Sequence, residues 1–262
     1  MDSIKRALRK AMVSYKGLFG MYSVKAYIMV EIIGPMFQLS FFSMVAAHVY
    51  GSDDISKWII GNAMVLTYMN AFFGVGAQFI QERSMGTLKL VIAAPSNSFG
   101  IFMPRVIMHT LDGMVSVIIG LVSGALLFGF RLPLSQWIPF ALVILVASFS
   151  AMGFGLLIGA LGLLTRDINL LLNLASMILL AFTGANFDIS KLPVEMAHIS
   201  QVLPLTRSIE LARKIHSGAS LTTHLDLLIG EVALGLILSV IGFMAFRYLE
   251  NLSRVKGTLD LY

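Results

Sequence analysis

Residues 137–164 read WIPFALVILVASFSAMGFGLLIGALGLL, a stretch without one charged side chain. A helix needs about 20 mostly apolar residues to cross the hydrocarbon core of a bilayer. The bilayer core offers no water to backbone polar groups, so a single apolar stretch of this kind crosses it as a helix. The segment therefore predicts a transmembrane helix and places the chain among integral membrane proteins.

The composition of the whole chain agrees with this class. Of its 262 residues, 57% are hydrophobic and 13% are charged, and the mean hydropathy is +0.85. A soluble domain carries about 25% charged residues, so this chain has too few to cover a water-facing surface. The absence of cysteine excludes a disulfide scaffold and a thiolate zinc site, and 18 Phe with 7 Tyr exclude a disordered chain.

Five further stretches have the length and apolar character of spans. We predict an all-α integral membrane fold, a single transmembrane domain over residues 1–262 with six transmembrane helices. The predicted spans are residues 26–49, 58–80, 106–130, 137–164, 168–187 and 225–246.

The distribution of basic residues predicts the orientation. Thirteen of the 19 Lys and Arg residues fall on the side that carries both termini, and cytoplasmic loops are enriched in these residues. We therefore expect a multi-pass protein of a bacterial cytoplasmic (inner) membrane with both termini in the cytoplasm. The basic excess needs no nucleic acid partner, because no basic stretch has interleaved aromatic residues.

The N-terminal arm, residues 1–25, has the pattern of an amphipathic helix. Ile4, Leu8 and Tyr15 recur at helical spacing, with Lys5 and Arg9 among the cations of the opposite face. Such a helix lies in the headgroup plane of the bilayer. It serves only as a topology signal, or it also contacts a cytoplasmic partner.

The second cytoplasmic loop, residues 81–97, predicts a short helix that ends at or before Pro95. Leu88, Val91 and Ile92 form one apolar face of this helix, which no span buries. An apolar face surrounded by charges suits a helix-in-groove contact with another protein.

The segment between the fifth and sixth predicted spans, residues 188–224, predicts a helical hairpin. Pro193 opens a helix that runs to about Val202, and Pro204 separates it from a second helix that ends before Gly218. Neither helix is long enough to span. The hairpin either enters the outer end of a transport pathway part-way, or lies as a loop outside the membrane.

These two segments carry a resemblance to a known family. The second cytoplasmic loop loosely matches E-R-x-x-G-T-L-x-x-L-x-x-A-P, from Glu82 to Pro95, and resembles the coupling segment of type-2 ABC transporter permeases. We therefore call residues 81–97 the coupling loop. The second match resembles the family's re-entrant extracellular element, and its residues are Gly184-Ala-Asn-Phe187, Leu192-Pro193, Leu203-Pro204-Leu205-Thr206, Glu210 and Gly218.

The resemblance implies the membrane-spanning subunit of an exporter, with ATP and Mg bound by a separate pair of ATP-binding cassette subunits. The chain itself has no phosphate-binding loop, so we expect no ATPase activity in it. Because an ATPase pair is two-fold symmetric, a second permease chain, identical or paralogous, is also implied. The residues implied in ATPase coupling are Glu82, Arg83, Gly86, Thr87, Leu88, Val91, Ile92 and Pro95. For Glu82 and Arg83, a simple interfacial ion pair is the alternative.

Polar residues within the spans are candidates for the transport pathway. Amides facing lipid would lack partners, so they should face the bundle or a second copy of the chain. The substrate-path candidates are Asn70, Phe73, Asn169, Asn173 and Ser176. Hydrogen bonding between helices, without any contact to cargo, is the alternative.

Ionisable residues in spans are costly and therefore candidate sites. Arg105, His109 and Asp112 share one face of the third span. They form a structural network at its cytoplasmic end, or they act as a gate. Glu31 either snorkels to the membrane interface or has a partner, for which Arg83 and Arg105 are candidates. In the last span, Asp226 and Glu231 lie where they could face the hairpin. No His or carboxylate cluster has the spacing of a catalytic or metal site.

The sequence thus predicts an exporter of an amphipathic or hydrophobic substrate, such as a drug, a peptide or a lipid-linked glycan. An ATP-independent channel or secondary transporter is the alternative from another class.

Overall fold

The computed structural model describes residues 23–50, 55–84, 98–162 and 167–256, and this part of the chain is helical without strands. The α-helices in chain order are α1 (Val24–Ile28), α2 (Gly34–Tyr50), α3 (Ser56–Val65), α4 (Phe73–Ser84), α5 (Ser98–Phe128), α6 (Trp137–Gly162), α7 (Ile168–Phe182), α8 (Val194–Val202), α9 (Thr206–His216) and α10 (Leu225–Lys256). Residues 1–22 of the N-terminal arm and most of the coupling loop lie outside the described residues.

Among the described residues, five helices are long and apolar enough to cross a membrane. They cover Met29–Tyr50, Ser56–Gln78, Met103–Phe128, Leu134–Gly162 and Leu221–Leu252, and we call them the first, second, third, fourth and last spans. Each overlaps a span predicted from the sequence. The helix of the third span, α5, begins earlier than predicted. It starts at Ser98 and continues through Pro104.

The predicted fifth span is shorter than expected. Helix α7 has 15 residues, or about 22 Å at 1.5 Å per residue, which is less than the roughly 30 Å of hydrocarbon core. Asp167 caps its start by accepting a hydrogen bond from the Leu170 amide at 3.1 Å. Its end comes at Phe182 because Gly184 adopts a left-handed backbone with φ +81°. The bounds 168–187 predicted for this helix are therefore too long.

The second span lies at the centre of the described chain. In its most apolar window 76% of the residues are buried, against 22% in the first span and 17% in the last. Trp58, Ile59 and Phe72 of this span belong to the largest fully buried side chains. The first and last spans instead present apolar faces outward, which suits contact with lipid or another apolar chain.

Two of the spans change to π-helical geometry for one segment. Met29–Ile33 precedes α2, and Tyr68–Phe72 lies between α3 and α4. Such segments are rare in helices and often occur at functional sites. The first contains Glu31 and the second contains Asn70. Each segment therefore contains a candidate site residue that was predicted from the sequence.

Candidate functional site

The hairpin helices lie where the sequence places them. Pro193 precedes α8, and the bends around Leu203 and Pro204 separate it from α9. Gly218 follows α9 with φ +97°, a left-handed conformation that glycine adopts without strain. The helix bounds predicted from proline and glycine are confirmed.

Helix α9 packs its apolar face into the protein. Ile209, Ala212 and Ile215 are almost fully buried. On the exposed face, Glu210 forms an ion pair with Lys214 at 3.2 Å. Glu210, a predicted hairpin residue, therefore lies on the surface of the described chain, and an exposed pair of this kind contributes little stability.

The turn between the two hairpin helices is held by Glu231 of the last span. Leu205, which precedes α9, is fully buried and has φ 74°, a strained conformation for a residue with a side chain. Its amide donates to Glu231 Oε1 at 2.7 Å, and the Ser208 backbone and the Ser150 hydroxyl bond the same carboxylate. Glu231 thus caps the start of α9 from another helix, where the helix dipole favours a carboxylate.

The position of Glu231 agrees with the expectation that it faces the hairpin. Asp226, one turn and a half earlier on α10, is exposed instead. The sequence alone did not distinguish the two carboxylates.

Arg213 of α9 joins the hairpin to the start of the second span. Its Nε donates to the carbonyl oxygen of Lys57 at 2.9 Å, and its Nη2 donates to that of Ala185 at 3.2 Å. The guanidinium also lies 5.6 Å from the Trp58 ring centroid, within the range of a cation–π contact. Burial lowers the pKa of Arg213 to about 10, so the side chain stays charged at neutral pH.

Aromatic and charged side chains surround the same position. Tyr50, at the end of the first span, stacks on Trp58 with ring centroids 4.9 Å apart. Lys57 forms an ion pair with Asp188 at 2.9 Å, and Lys191 lies 4.5 Å from the Tyr50 ring centroid. The hydrogen bond from Lys57 lowers the pKa of Asp188 to about 2. We call these five residues, together with Arg213, the hairpin junction.

The hairpin also meets the third and fourth spans. Phe130, just after α5, stacks on His216 with centroids 5.0 Å apart. Gln136, before α6, donates from Nε2 to the His216 carbonyl oxygen at 3.4 Å. Together with the contacts of Lys191 with the first span, Arg213 with the second and Glu231 of the last, these contacts show that the hairpin touches all five candidate spans.

A second polar cluster lies between the first three spans. Asn70 Nδ2 is 2.9 Å from Glu31 Oε2 and 2.9 Å from Ser116 Oγ. Among the described contacts, the partner of Glu31 is thus the Asn70 amide, which the sequence did not suggest. The contact was not predictable from spacing, because it joins residues that are far apart in the chain.

The other substrate-path candidates occupy different surroundings. Phe73 is half-buried against the core, and Ser176 is buried with its hydroxyl bonded to the Leu172 carbonyl. Asn169 and Asn173 are exposed, and the Asn173 amide donates to the Asn169 carbonyl at 2.8 Å. Within this chain, the amide face of α7 is not turned into the bundle, and the structure does not bring all five candidates together.

The coupling residues fall at the limit of the described structure. Glu82 and Arg83 belong to the last turn of α4, which ends at Ser84. Six more coupling candidates lie outside the described residues, namely Gly86, Thr87, Leu88, Val91, Ile92 and Pro95. Among the described residues, no group of three or more His, Asp or Glu side chains is placed to hold a metal.

Comparison with known proteins supplies the family. The family model described as ABC-2 type transporter matches residues 11–216, which includes the first four spans, α7 and both hairpin helices. A search of curated proteins found no match.

Proposed function

The chain belongs to the ABC-2 type transporter family, and from that premise we propose that it is the permease subunit of an ATP-driven exporter. Its cargo is an amphipathic or hydrophobic molecule that moves outward across the cytoplasmic membrane. The observation that carries the proposal is the family match over most of the chain. The family domain is a membrane transport component and not itself an ATPase.

The topology that we propose has six crossings. Helix α7 serves as a short fifth span, so that the N-terminus and the end of α10 lie on the same side. The positive-inside distribution of Lys and Arg supports a cytoplasmic location for both. A helix of 15 residues crosses where the bilayer thins or where neighbouring protein covers its ends.

In this proposal the hairpin closes the outer end of the pathway. Its two helices are too short to span, with 9 and 11 residues, and they enter the membrane only part-way. The contacts with one end of every candidate span support this placement, since non-helical backbone at membrane depth must be enclosed by protein or line a cavity. Movement of the spans relative to the hairpin would then open an exit for cargo.

The energy source is a separate pair of ATP-binding cassette subunits that bind ATP and Mg. Residues 81–97 form the docking element, with Leu88, Val91 and Ile92 inserted into a groove of the ATPase. Binding of ATP closes the ATPase pair and moves the spans as rigid bodies. For coupling, the two permease conformations must differ in their affinity for ATP.

A second permease chain completes the transporter. The first span exposes Phe37 and Phe41, and α7 exposes the amides of Asn169 and Asn173. The Asn173 amide donates to the Asn169 carbonyl, and the remaining polar atoms of the two amides would find partners in a protein surface against this face but not in lipid. We propose that Asn173, with Asn70 and Phe73 from the second span, borders the route of the cargo.

Co-purification with the ATPase subunit tests the proposal. Leu88→Asp places a charge in the apolar docking face and should abolish co-purification and transport. Thr223→Asp, which adds the same charge at an exposed position beyond the two hairpin helices and just before α10, is the matched control and should leave both intact. Undiminished ATPase binding and transport in Leu88→Asp would overturn the coupling assignment.

A further inference from the structure

An apolar groove lies between the third and fourth spans, at the end of the spans where the hairpin packs. Its volume is about 350 Å³, in the lower part of the range of about 300–1,000 Å³ that small-molecule sites cover. Phe130, which stacks on His216 of the hairpin, lines the groove together with Leu132 and Trp137. Every side chain that lines the groove is aliphatic, aromatic or methionine, so the groove suits a hydrocarbon ligand.

The groove has a buried floor and exposed walls. Phe140 of α6 forms part of the floor and is 2% exposed, whereas Ile118 and Val122 of α5 are about half exposed. Ala125 and Ala141 also line the groove and are exposed. Their small side chains leave open the space that larger ones would fill. Since the exposed apolar faces of a span contact lipid or another apolar chain, the groove opens toward the bilayer.

The length of the groove is that of one bilayer leaflet. On α5 its lining extends from Met114, near the middle of the third span, to Ala125, which is 11 positions later. This distance is about 16 Å at 1.5 Å per residue. Half of the hydrocarbon core is about 15 Å, which is the depth that one acyl chain occupies. An acyl chain lying along α5 therefore fills the groove from end to end.

The mouth of the groove carries a residue typical of the membrane interface. Trp137 is 58% exposed, and its Nε1 donates to the Leu132 carbonyl oxygen at 3.2 Å. Tryptophan is enriched at the level of the lipid headgroups, because its ring is apolar and one edge is polar. The indole thus places the mouth at headgroup level and the rest of the groove within the hydrocarbon core.

A cation lies at the same mouth. Arg131 stands between Phe130 and Leu132, which both line the groove. It is exposed, and it is the only charged residue within 113–165. Among the described residues, no ion pair includes it. Because a guanidinium binds phosphate oxygens through two parallel hydrogen bonds, this position favours a phosphate directly above the acyl chain.

We propose that the groove binds one acyl chain of an anionic phospholipid whose phosphate contacts Arg131. The hydrocarbon and the anion belong to one molecule, as the apolar lining and the cation at its mouth require. This lipid site is separate from the proposed route of the cargo. Only its assignment to the outer leaflet rests on the proposed topology, and binding itself requires this chain alone.

Trp137 serves as the reporter of the test. The chain has two tryptophans, and the other, Trp58, is only 2% exposed. The full-length chain is reconstituted in phosphatidylcholine vesicles that contain a small fraction of phosphatidylglycerol, with bromine on the acyl chains of one lipid or the other. Bromine quenches tryptophan fluorescence only at close approach. The signal of Trp137→Phe is subtracted, so the remaining quenching measures the lipid in contact with Trp137.

Brominated phosphatidylglycerol should quench Trp137 with an apparent affinity about fivefold higher than brominated phosphatidylcholine, the effect of one cation near an anionic lipid. Arg131→Gln should remove this preference, and Arg131→Lys should keep it. Ala125→Phe fills the groove and should also remove most of the preference. Ala233→Phe adds the same side chain at an exposed position of the last span and should leave the preference unchanged.

Equal quenching by the two lipids in wild type would overturn the proposal. So would an unchanged preference in Arg131→Gln or in Ala125→Phe. Quenching by neither lipid would show that a second copy of the chain covers the groove, and would overturn it as well. The substituted positions are exposed, and thermal unfolding verifies that each variant is folded.

The outcome is separable from that of the proposed function. The vesicles contain no ATPase, ATP or cargo, whereas co-purification with the ATPase involves no added lipid. A chain that selects the anionic lipid but binds no ATPase retains this site and loses its assignment as an exporter subunit.

Discussion

Arg213 Nε lies 2.9 Å from the carbonyl oxygen of Lys57, which bonds the second hairpin helix directly to the first turn of the second span. The donor is on α9 and the acceptor is 156 residues away in sequence. The second span is also the most buried of the five. The contact therefore ties the hairpin to the most buried of the five candidate spans.

Replacing Arg213 should destabilise the protein. Arg213→Met keeps the apolar stem but leaves the carbonyls of Lys57 and Ala185 without their donors, and we expect a loss of about 2–4 kcal/mol. Lys214→Met removes only an exposed partner of Glu210 and should cost about 0.5 kcal/mol or less. Thermal or denaturant unfolding in detergent measures both, and equal losses would show that the Arg213 bonds add no stability.

Replacing Glu231 should destabilise the hairpin turn. Glu231→Ala leaves the buried Leu205 amide unsatisfied, at a cost of about 1–3 kcal/mol. Glu231→Gln keeps an acceptor oxygen and should cost less. Hydrogen exchange of the Leu205 and Ser208 amides is the direct measurement, with Asp226→Ala as the exposed control. Unchanged protection of both amides in Glu231→Ala would contradict the capping role.

At Leu205 a glycine variant should be more stable than an alanine variant, which is the reverse of the usual order of stability. Both lose the buried leucine side chain, so both should be less stable than wild type by about 2–5 kcal/mol. At φ 74° a Cβ is strained and glycine is not, so Leu205→Gly should be more stable than Leu205→Ala by about 1 kcal/mol. Urea unfolding of the two variants gives the difference, and greater stability of the alanine variant would refute the strained turn.

Replacement of two span glycines by alanine should reduce the stability of the protein by different amounts. A Cβ on Gly155 would lie 2.5 Å from the Phe72 carbonyl oxygen, which is backbone. A Cβ on Gly124 would lie 2.5 Å from Ile59 Cγ2, a side-chain atom that can move. We expect Gly155→Ala to cost about 2–3 kcal/mol and Gly124→Ala about 1 kcal/mol. Unfolding midpoints in detergent rank them, and the opposite ranking would contradict this packing.

Much of the fold could be predicted from local signals. The spans follow from apolar length, and the hairpin helices follow from Pro193, Pro204 and Gly218, which act on the backbone next to them. Asp167 and Gly184 also carry local signals for the ends of α7. Residues 183–187 carry no charged side chain, so the predicted span was extended past Gly184 and became too long.

The contacts at the two polar clusters could not be predicted in this way. The bonds of Arg213 and Glu231 join residues 23 or more positions apart, and their partners are mostly backbone atoms that every residue possesses. The π-helical segments depend likewise on packing between spans. The sequence marked Glu31 and Asn70 as unusual polar residues, but nothing in their spacing indicated that they meet.

The central claim, that a separate ATPase drives outward transport through this chain, is tested most directly in inside-out membrane vesicles. The measurement is accumulation of tetraphenylphosphonium and of a fluorescent short-chain lipid, with and without the ATPase subunit and ATP. We expect accumulation of at least one probe that requires the ATPase, hydrolysable ATP and an intact Leu88. Equal accumulation by vesicles that contain this chain alone, without ATP, would contradict the claim and identify a channel or secondary transporter.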